Sequence, residues 1–171
     1  DFGGYAERAR CDVRYVWEKP QALSFEHAAA IPLNYITAWG LLVAMGGLTR
    51  GDSVLIHNAG GGVGLAALDI AKHVGAISIG TASPRKHAFL KARGCTHTVD
   101  YTREDWPAEV LRLTQNNGVE LAIDPIGGKS WAKTYSVLRA TGRIGMFGIS
   151  SAAVGGLRAK FELVKLALAA P

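Results

Sequence analysis

The segment Val54-Leu55-Ile56-His57-Asn58-Ala59-Gly60-Gly61-Gly62-Val63-Gly64 constrains the fold more than any other: a β-branched run meets a glycine-rich turn, and Leu65, Leu68 and Ala71 then follow at helical spacing. Such a junction leaves backbone N–H groups free at the positive end of a helix dipole, where phosphate binds. The register that fits is Ala59-x-Gly61-x-x-Gly64. Ala59 makes the tight turn, Gly61 lets backbone approach a pyrophosphate, and Gly64 lets helix pack closely on strand, with Gly62 and Val63 completing the loop. Alone the motif is weak; its place between a strand and a helix makes it informative.

That setting recurs along the chain. Val54–Ile56, Ala76–Ile79, Thr98–Val99, Val119–Ile123 and Ile144–Phe147 are short apolar runs of the kind that form buried parallel strands. Helical stretches separate them: Gly64–Val74, a helix N-capped by Ser83 with Pro84 at its first position and closed by Gly94, Glu104–Thr114 and Ser130–Leu138. The alternation predicts an α/β doubly wound parallel sheet of the Rossmann type, with five of the usual six strands. Upstream, Ser24 predicts an N-capped short helix ending near Pro32, and Asn34–Met45 a second helix stopped by Gly46-Gly47. Gly3–Val13 alternates loosely, like a half-exposed strand. Downstream, Leu157, Phe161, Val164 and Leu168 form one helical stripe, read as core-facing. A membrane-surface helix is the alternative, disfavoured by only three Lys or Arg there.

Charge localises the ligand. The chain of 171 residues is 49% hydrophobic and 19% charged, enough for one core, and its formal charge is +5. Between Asp69 and Asp100 there is no acid, whereas Lys72, Arg85, Lys86, Lys91 and Arg93 lie there; the remaining chain has fourteen charges of each sign. A local anionic ligand is therefore expected rather than a nucleic-acid surface. Cys11 and Cys95 are far apart, which predicts neither disulfide nor structural zinc and fits a reducing, cytoplasmic setting. No apolar run reaches the roughly 20 residues of a membrane span, so no transmembrane segment is expected. Beginning at Asp1 inside an alternating segment, the chain reads as an excerpt of a longer protein.

Dinucleotide sites usually carry an acid about 20 residues beyond the turn, to bond the ribose 2′-hydroxyl. Gly80-Thr81-Ala82-Ser83-Pro84-Arg85-Lys86 has none. Ser83 with Arg85 and Lys86 would instead bond a 2′-phosphate, which predicts NADP(H) over NAD(H). The ordinary alternative is that Arg85 and Lys86 solvate a helix face. Absence of that acid also weighs against an S-adenosylmethionine site.

With these residues in view, the chain resembles the medium-chain dehydrogenase/reductase superfamily, in its zinc-independent quinone oxidoreductase branch. The resemblance covers nearly all of it. It is carried by Gly3-Gly-Tyr-Ala-Glu, Phe25-Glu-His-Ala-Ala-Ala-Ile-Pro, Asn34-Tyr-Ile-Thr-Ala-Trp, the His57–Gly64 turn, Ile79-Gly-Thr-Ala-Ser, Val99-Asp-Tyr, Ile123-Asp-Pro-Ile-Gly-Gly and Arg143-Ile-Gly-Met-Phe-Gly. Leu33-Asn-Tyr-Ile-Thr-Ala and Gly80-Thr-Ala-Ser-x-x-Lys are most similar to the subgroup containing the synaptic-vesicle amine-transport protein homologue.

The resemblance implies roles. Thr37 matches a Thr contacting the nicotinamide end; Ala59, Gly61, Gly62 and Val63 match the pyrophosphate turn; Ser83, Lys86 and Tyr101 match positions around the adenosine 2′-phosphate. Phe147, Gly148 and the residues just after them match the loop lining the nicotinamide ribose. Each has an ordinary alternative: Thr37 bonding its own helix, Tyr101 a strand aromatic, Phe147 core. Leu33 stands where zinc-dependent relatives carry Cys, so no metal is expected. Residues 1–32 would be a remnant and linker of a substrate domain, 33–150 the NADP-binding domain, and 151–171 a connecting helix towards a last strand. The implied activity is hydride transfer from NADPH to a quinone or α,β-unsaturated carbonyl acceptor, in a homodimer paired near that last strand. No residue present fits a general acid, so the catalytic residues stay unassigned. Two other readings remain: an enoyl-thioester reductase of a multienzyme synthase, and a non-catalytic nucleotide-binding or membrane-associated module.

Overall fold

Residues 6–150 are described by the computed structural model. Their strands are β1 (Ser53–Ile56), β2 (Ile77–Ala82), β3 (His97–Asp100), β4 (Val119–Asp124) and β5 (Leu138–Met146). They form one parallel sheet in the order β3-β2-β1-β4-β5, with Leu55 beside Ile79 on one flank and Ala122 on the other. The helices are α1 (Phe25–Trp39), α2 (Gly62–Val74), α3 (His87–Ala92), α4 (Trp106–Leu113) and α5 (Lys129–Tyr135). The doubly wound sheet expected from the sequence is thus present.

Successive strand residues point to opposite faces, and β1 is buried on both. Val54, Ile56, Leu121 and Ile123 meet Ala67, Leu68 and Ala71 of α2 and Ala38 of α1 on one face. On the other, Leu55, Ile79 and Ala122 meet Trp106 and Val110 of α4. Among the described residues β5 has no neighbour on its outer side.

Several local expectations change. Pro32 does not divide two helices: α1 runs through it and continues as a π-helical turn over Gly40–Ala44. Proline removes one N–H donor. The helix nevertheless stays continuous, because Ala38, Leu41 and Leu42 anchor it in the core. Joining the two halves gives a 20-residue helical span, Phe25–Ala44, with mean hydropathy 1.2, which by length and composition could cross a membrane. No strand forms over residues 6–12, where a 3-10 turn at Val13–Tyr15 follows instead; the chain there finds no partner strand, and residues 1–5 lie outside the described part. Helix α5 ends at Tyr135, so Leu138 opens β5 rather than closing a helix. The stripe from Leu157 to Leu168 also lies outside the described residues.

One polar contact ties three strands at their amino ends. The Glu120 carboxylate of β4 accepts from Ser53 N (2.7 Å) and Ser53 Oγ (2.6 Å) of β1 and from Arg139 of β5 (2.5 Å). Burial alone would raise its pKa, but these bonds overcome that and hold it at about 2. A carboxyl depressed on folding stabilises the fold above its unfolded pKa, and that contribution is lost as pH falls towards the folded value. Urea midpoints at pH 6 and pH 3 should therefore fall further for the wild type than for Glu120→Gln; parallel falls in both would remove the assignment.

Candidate functional site

Strand order reverses between β1 and β4, and in open α/β sheets the crevice at the carboxyl ends beside such a reversal takes the ligand. The glycine turn is built there. His57 N donates to the Ile123 carbonyl and Ala59 N to the Thr81 carbonyl, both at 3.1 Å, so the turn is stitched to β4 and β2. Asn58 adopts the left-handed region at φ 51°, and Gly61 N closes on the Asn58 carbonyl at 2.9 Å. Gly61 caps α2 without a side-chain bond, which leaves first-turn N–H groups for an anion.

Glycine is required at Gly64 by space. A Cβ there would strike the Asn58 carbonyl oxygen and come within 2.7 Å of Ala59 backbone atoms. At Gly80 a Cβ would press on Ala59 Cβ and Cys95 Sγ, each 2.9 Å away. Close packing of α2 and β2 on the turn thus fixes both positions.

Beside the turn lies a cavity of about 620 Å³. It brings together Ser83, Arg85, Lys86 and Tyr101, which the sequence reading placed around one phosphate, with Asn58 and Gly60 of the turn and Ile126 and Ser150 opposite. Lys86 crosses the turn so closely that a Cβ on Gly60 would lie 3.0 Å from its Cδ. Ser83 occupies the N-cap position, yet its side chain makes no capping bond, contrary to expectation; Pro84–Lys86 is a 3-10 turn, and α3 starts only at His87. Among the described residues no carboxylate lines the cavity. Asp100, the register partner of Ala82, turns its carboxylate to Thr102 N (2.9 Å) and Oγ1 (2.7 Å), bonds that hold its pKa below the usual range.

Other expected residues do not line this cavity. Ala59 is fully buried; Gly62, Val63 and Gly64 form the first turn of α2; Gly80 is buried in β2. Thr37 is half-buried in α1, Phe147 packs partly against the core, and Gly148 lies over Pro125. Leu33 is exposed on α1, and among the described residues no cluster of His, Cys, Asp or Glu could hold a metal.

Asn58 and Ile126 lie outside the expected set, as does a buried pair behind the turn, His57 and Asp124; Ser150 belongs to the stretch just after Gly148 that the resemblance placed at the cofactor. Asn58 carried a signal in being a residue type that tolerates φ above zero. Asp124 lay within the quoted Ile123-Asp-Pro-Ile-Gly-Gly motif, where nothing in the sequence revealed its partners.

Residues 62–167 match the family model described as zinc-binding dehydrogenase. The synaptic vesicle membrane protein VAT-1 homolog of Rattus norvegicus is 41% identical over 140 residues, covering 81% of this chain and 34% of the relative. A quinone oxidoreductase-like protein 2 homolog of Nematostella vectensis is 34% identical over 164 residues, covering 95% and 45%. Among solved structures, the CurK enoyl reductase aligns with TM-score 0.77 at 37% identity, covering 81% of this chain and 43% of that one. A Pseudomonas syringae quinone oxidoreductase gives 0.75 at 36%, covering 79% and 42%. A mycobacterial protein complexed with NADPH gives 0.74 at 31%, covering 78% and 42%. The chain therefore spans between a third and a half of these relatives' lengths.

The contacts at Gly64 set a measurable cost. Gly64→Ala should destabilise the fold by about 1–3 kcal/mol, because backbone rather than a yielding side chain stands in the way. Urea unfolding checks this; an unchanged midpoint would contradict the close approach of α2 to β1.

Proposed function

The chain belongs to the zinc-binding dehydrogenase family within the medium-chain dehydrogenase/reductase superfamily, and on that premise we propose that it is the cofactor domain of an NADPH-dependent oxidoreductase. The observation that carries the cofactor choice is the cavity holding Ser83, Arg85 and Lys86 beside Gly60, with no carboxylate among the described residues of its lining. Its volume of about 620 Å³ is in the usual range for ligand sites. A dinucleotide pyrophosphate would lie on the glycine turn and the amino end of α2, with its 2′-phosphate between Ser83, Arg85 and Lys86 and its adenine near Tyr101. Thr37, Phe147 and Gly148 would approach the nicotinamide end. The bound nicotinamide supplies the hydride; the protein holds it and excludes the wrong nucleotide through the charges at Arg85 and Lys86.

The acceptor we assign to the whole protein is a quinone or α,β-unsaturated carbonyl, the quinone being supported by similarity to quinone oxidoreductases. Leu33, unable to ligate zinc, supports a zinc-independent route. Similarity to the CurK enoyl reductase favours one second reading, reduction of an enoyl thioester. Turnover of crotonyl thioesters and not of quinones by the whole protein would select it. In either case the proposed setting is a cytoplasmic homodimer acting on a small molecule, not on nucleic acid.

Titration of the 171-residue chain tests the cofactor. NADPH should bind more tightly than NADH, and Arg85→Ala with Lys86→Ala should weaken NADPH about ten- to a hundredfold while leaving NADH nearly unchanged. NADH binding as tight as NADPH, or an unaffected double variant, would overturn the 2′-phosphate assignment.

A further inference from the structure

Behind the glycine turn runs a buried chain of hydrogen bonds that the cofactor roles above do not use. His57 is 2% exposed, and Thr81, Thr134 and Asp124 are fully buried. Asp124 Oδ1 accepts from Ile126 N (2.6 Å) and Gly127 N (3.4 Å), and Oδ2 from the hydroxyls of Ser130 (2.7 Å) and Thr134 (2.9 Å). A carboxylate has no proton to give. The single hydroxyl proton of Thr134 is thereby committed to Asp124, and Thr134 Oγ1 must accept from His57 Nε2, 2.9 Å away. Burial lowers the imidazole pKa against the opposing pull of Asp124, and the edge-on Trp106 ring, 5.0 Å away, adds no charge. With one ring proton on Nε2, Nδ1 is the acceptor, and Thr81 Oγ1 donates to it across 3.1 Å.

This chain of bonds meets three stretches of the cavity lining. His57 opens the glycine turn, and Thr81 precedes Ala82 and Ser83 in the lining. The Asp124 carboxylate holds Ile126. The backbone carbonyls of Asp124 and Pro125 take Phe147 N (3.3 Å) and Ser150 N (3.0 Å), so Ser150 in the lining hangs from the same short segment.

We infer that His57 is a positioning residue: its Nε2–H imidazole, relayed through Thr134 to Asp124 and bonded by Thr81, ties the glycine turn, β2 and the segment after β4 into one frame and so sets dinucleotide affinity without touching the dinucleotide. The inference rests on the NADPH reading above. Apolar packing alone would fill the same space, but it would not distinguish one hydrogen-bonding pattern from another.

The test pairs variants that differ in bonding, all in the 171-residue chain; at position 134 the variant that loses the hydroxyl, Val, keeps the bulk of Thr, and Ser is the smaller one. His57→Gln keeps a donor towards Thr134, whereas His57→Leu keeps none; Thr134→Ser keeps the hydroxyl relay, whereas Thr134→Val removes it. NADPH affinity should fall about tenfold in the Leu and Val variants and stay within about threefold of wild type in the Gln and Ser variants. Proton–nitrogen spectra of the wild-type imidazole at neutral pH should show the Nε2–H tautomer. The Gly60 and Ile126 amide signals should move in the Leu and Val variants and return in the Gln and Ser ones. An Nδ1–H or doubly protonated ring overturns the proton assignment. Equal affinity in all four variants, or equal loss in all four, overturns the positioning role. Should His57→Leu fail to fold, the Thr134 pair decides. If wild-type protein binds no NADPH, the proposed function fails, while the tautomer and the Gly60 and Ile126 signals still decide whether the network exists.

Discussion

The first turn of α2 rests directly on backbone of the turn that precedes it, and the carboxyl edge of the sheet depends on that approach. Any side chain at Gly64 would meet the Asn58 and Ala59 backbone. With α2 seated there, its buried Ala66, Ala67, Leu68 and Ala71 reach Val54 and Ile56, and the same seating turns the free amino end of the helix towards the crevice. Ala59 then becomes the floor on which Gly80 packs, which carries β2 past the turn and delivers Ser83 to the cavity. Fold stability and ligand geometry come from one backbone contact.

The parts of the site that could be read in advance are those whose chemistry is local. Glycine spacing, a missing acid after β2 and a run of cations are properties of contiguous residues, and Ser83, Arg85, Lys86 and Tyr101 do share one cavity. What escaped depends on contacts across long separations. His57 bonds Thr134, 77 residues away, and Glu120 bonds Ser53, 67 residues away. Neither pairing leaves a periodic trace. Pro32 escaped for another reason: its local cost to a helix is real, but the anchoring of Ala38 and Leu42 outweighs it.

Electrostatics at the cavity are decided by where carboxylates turn as much as by which residues are present. Searching residues 80–86 for an acid overlooks Asp100, which the parallel register brings beside Ala82. The pair of bonds from Thr102 occupies that carboxylate and keeps it out of the lining. Among the described residues the cations at Arg85 and Lys86 therefore line the cavity without a competing acid, and the proposed 2′-phosphate site rests on that arrangement.

The helix from Phe25 to Ala44 is apolar enough to raise the question of a membrane, all the more beside relatives whose names contain the word. Its inner stripe answers in terms of packing. Ala38, Leu41 and Leu42 complete the core beneath α2, and the Tyr35 hydroxyl bonds the Asp69 carboxylate of α2 at 2.5 Å. Drawing the helix into lipid would uncover two leucines, each worth about 1.5–3 kcal/mol of burial, and would strip the support from the helix that seats the glycine turn. The outer face can meet a surface without that loss: Phe25, Leu33, Ile36 and Met45 are all more than 60% exposed. Any membrane or domain contact made by α1 is therefore made with its outer side while the inner side stays in the sheet.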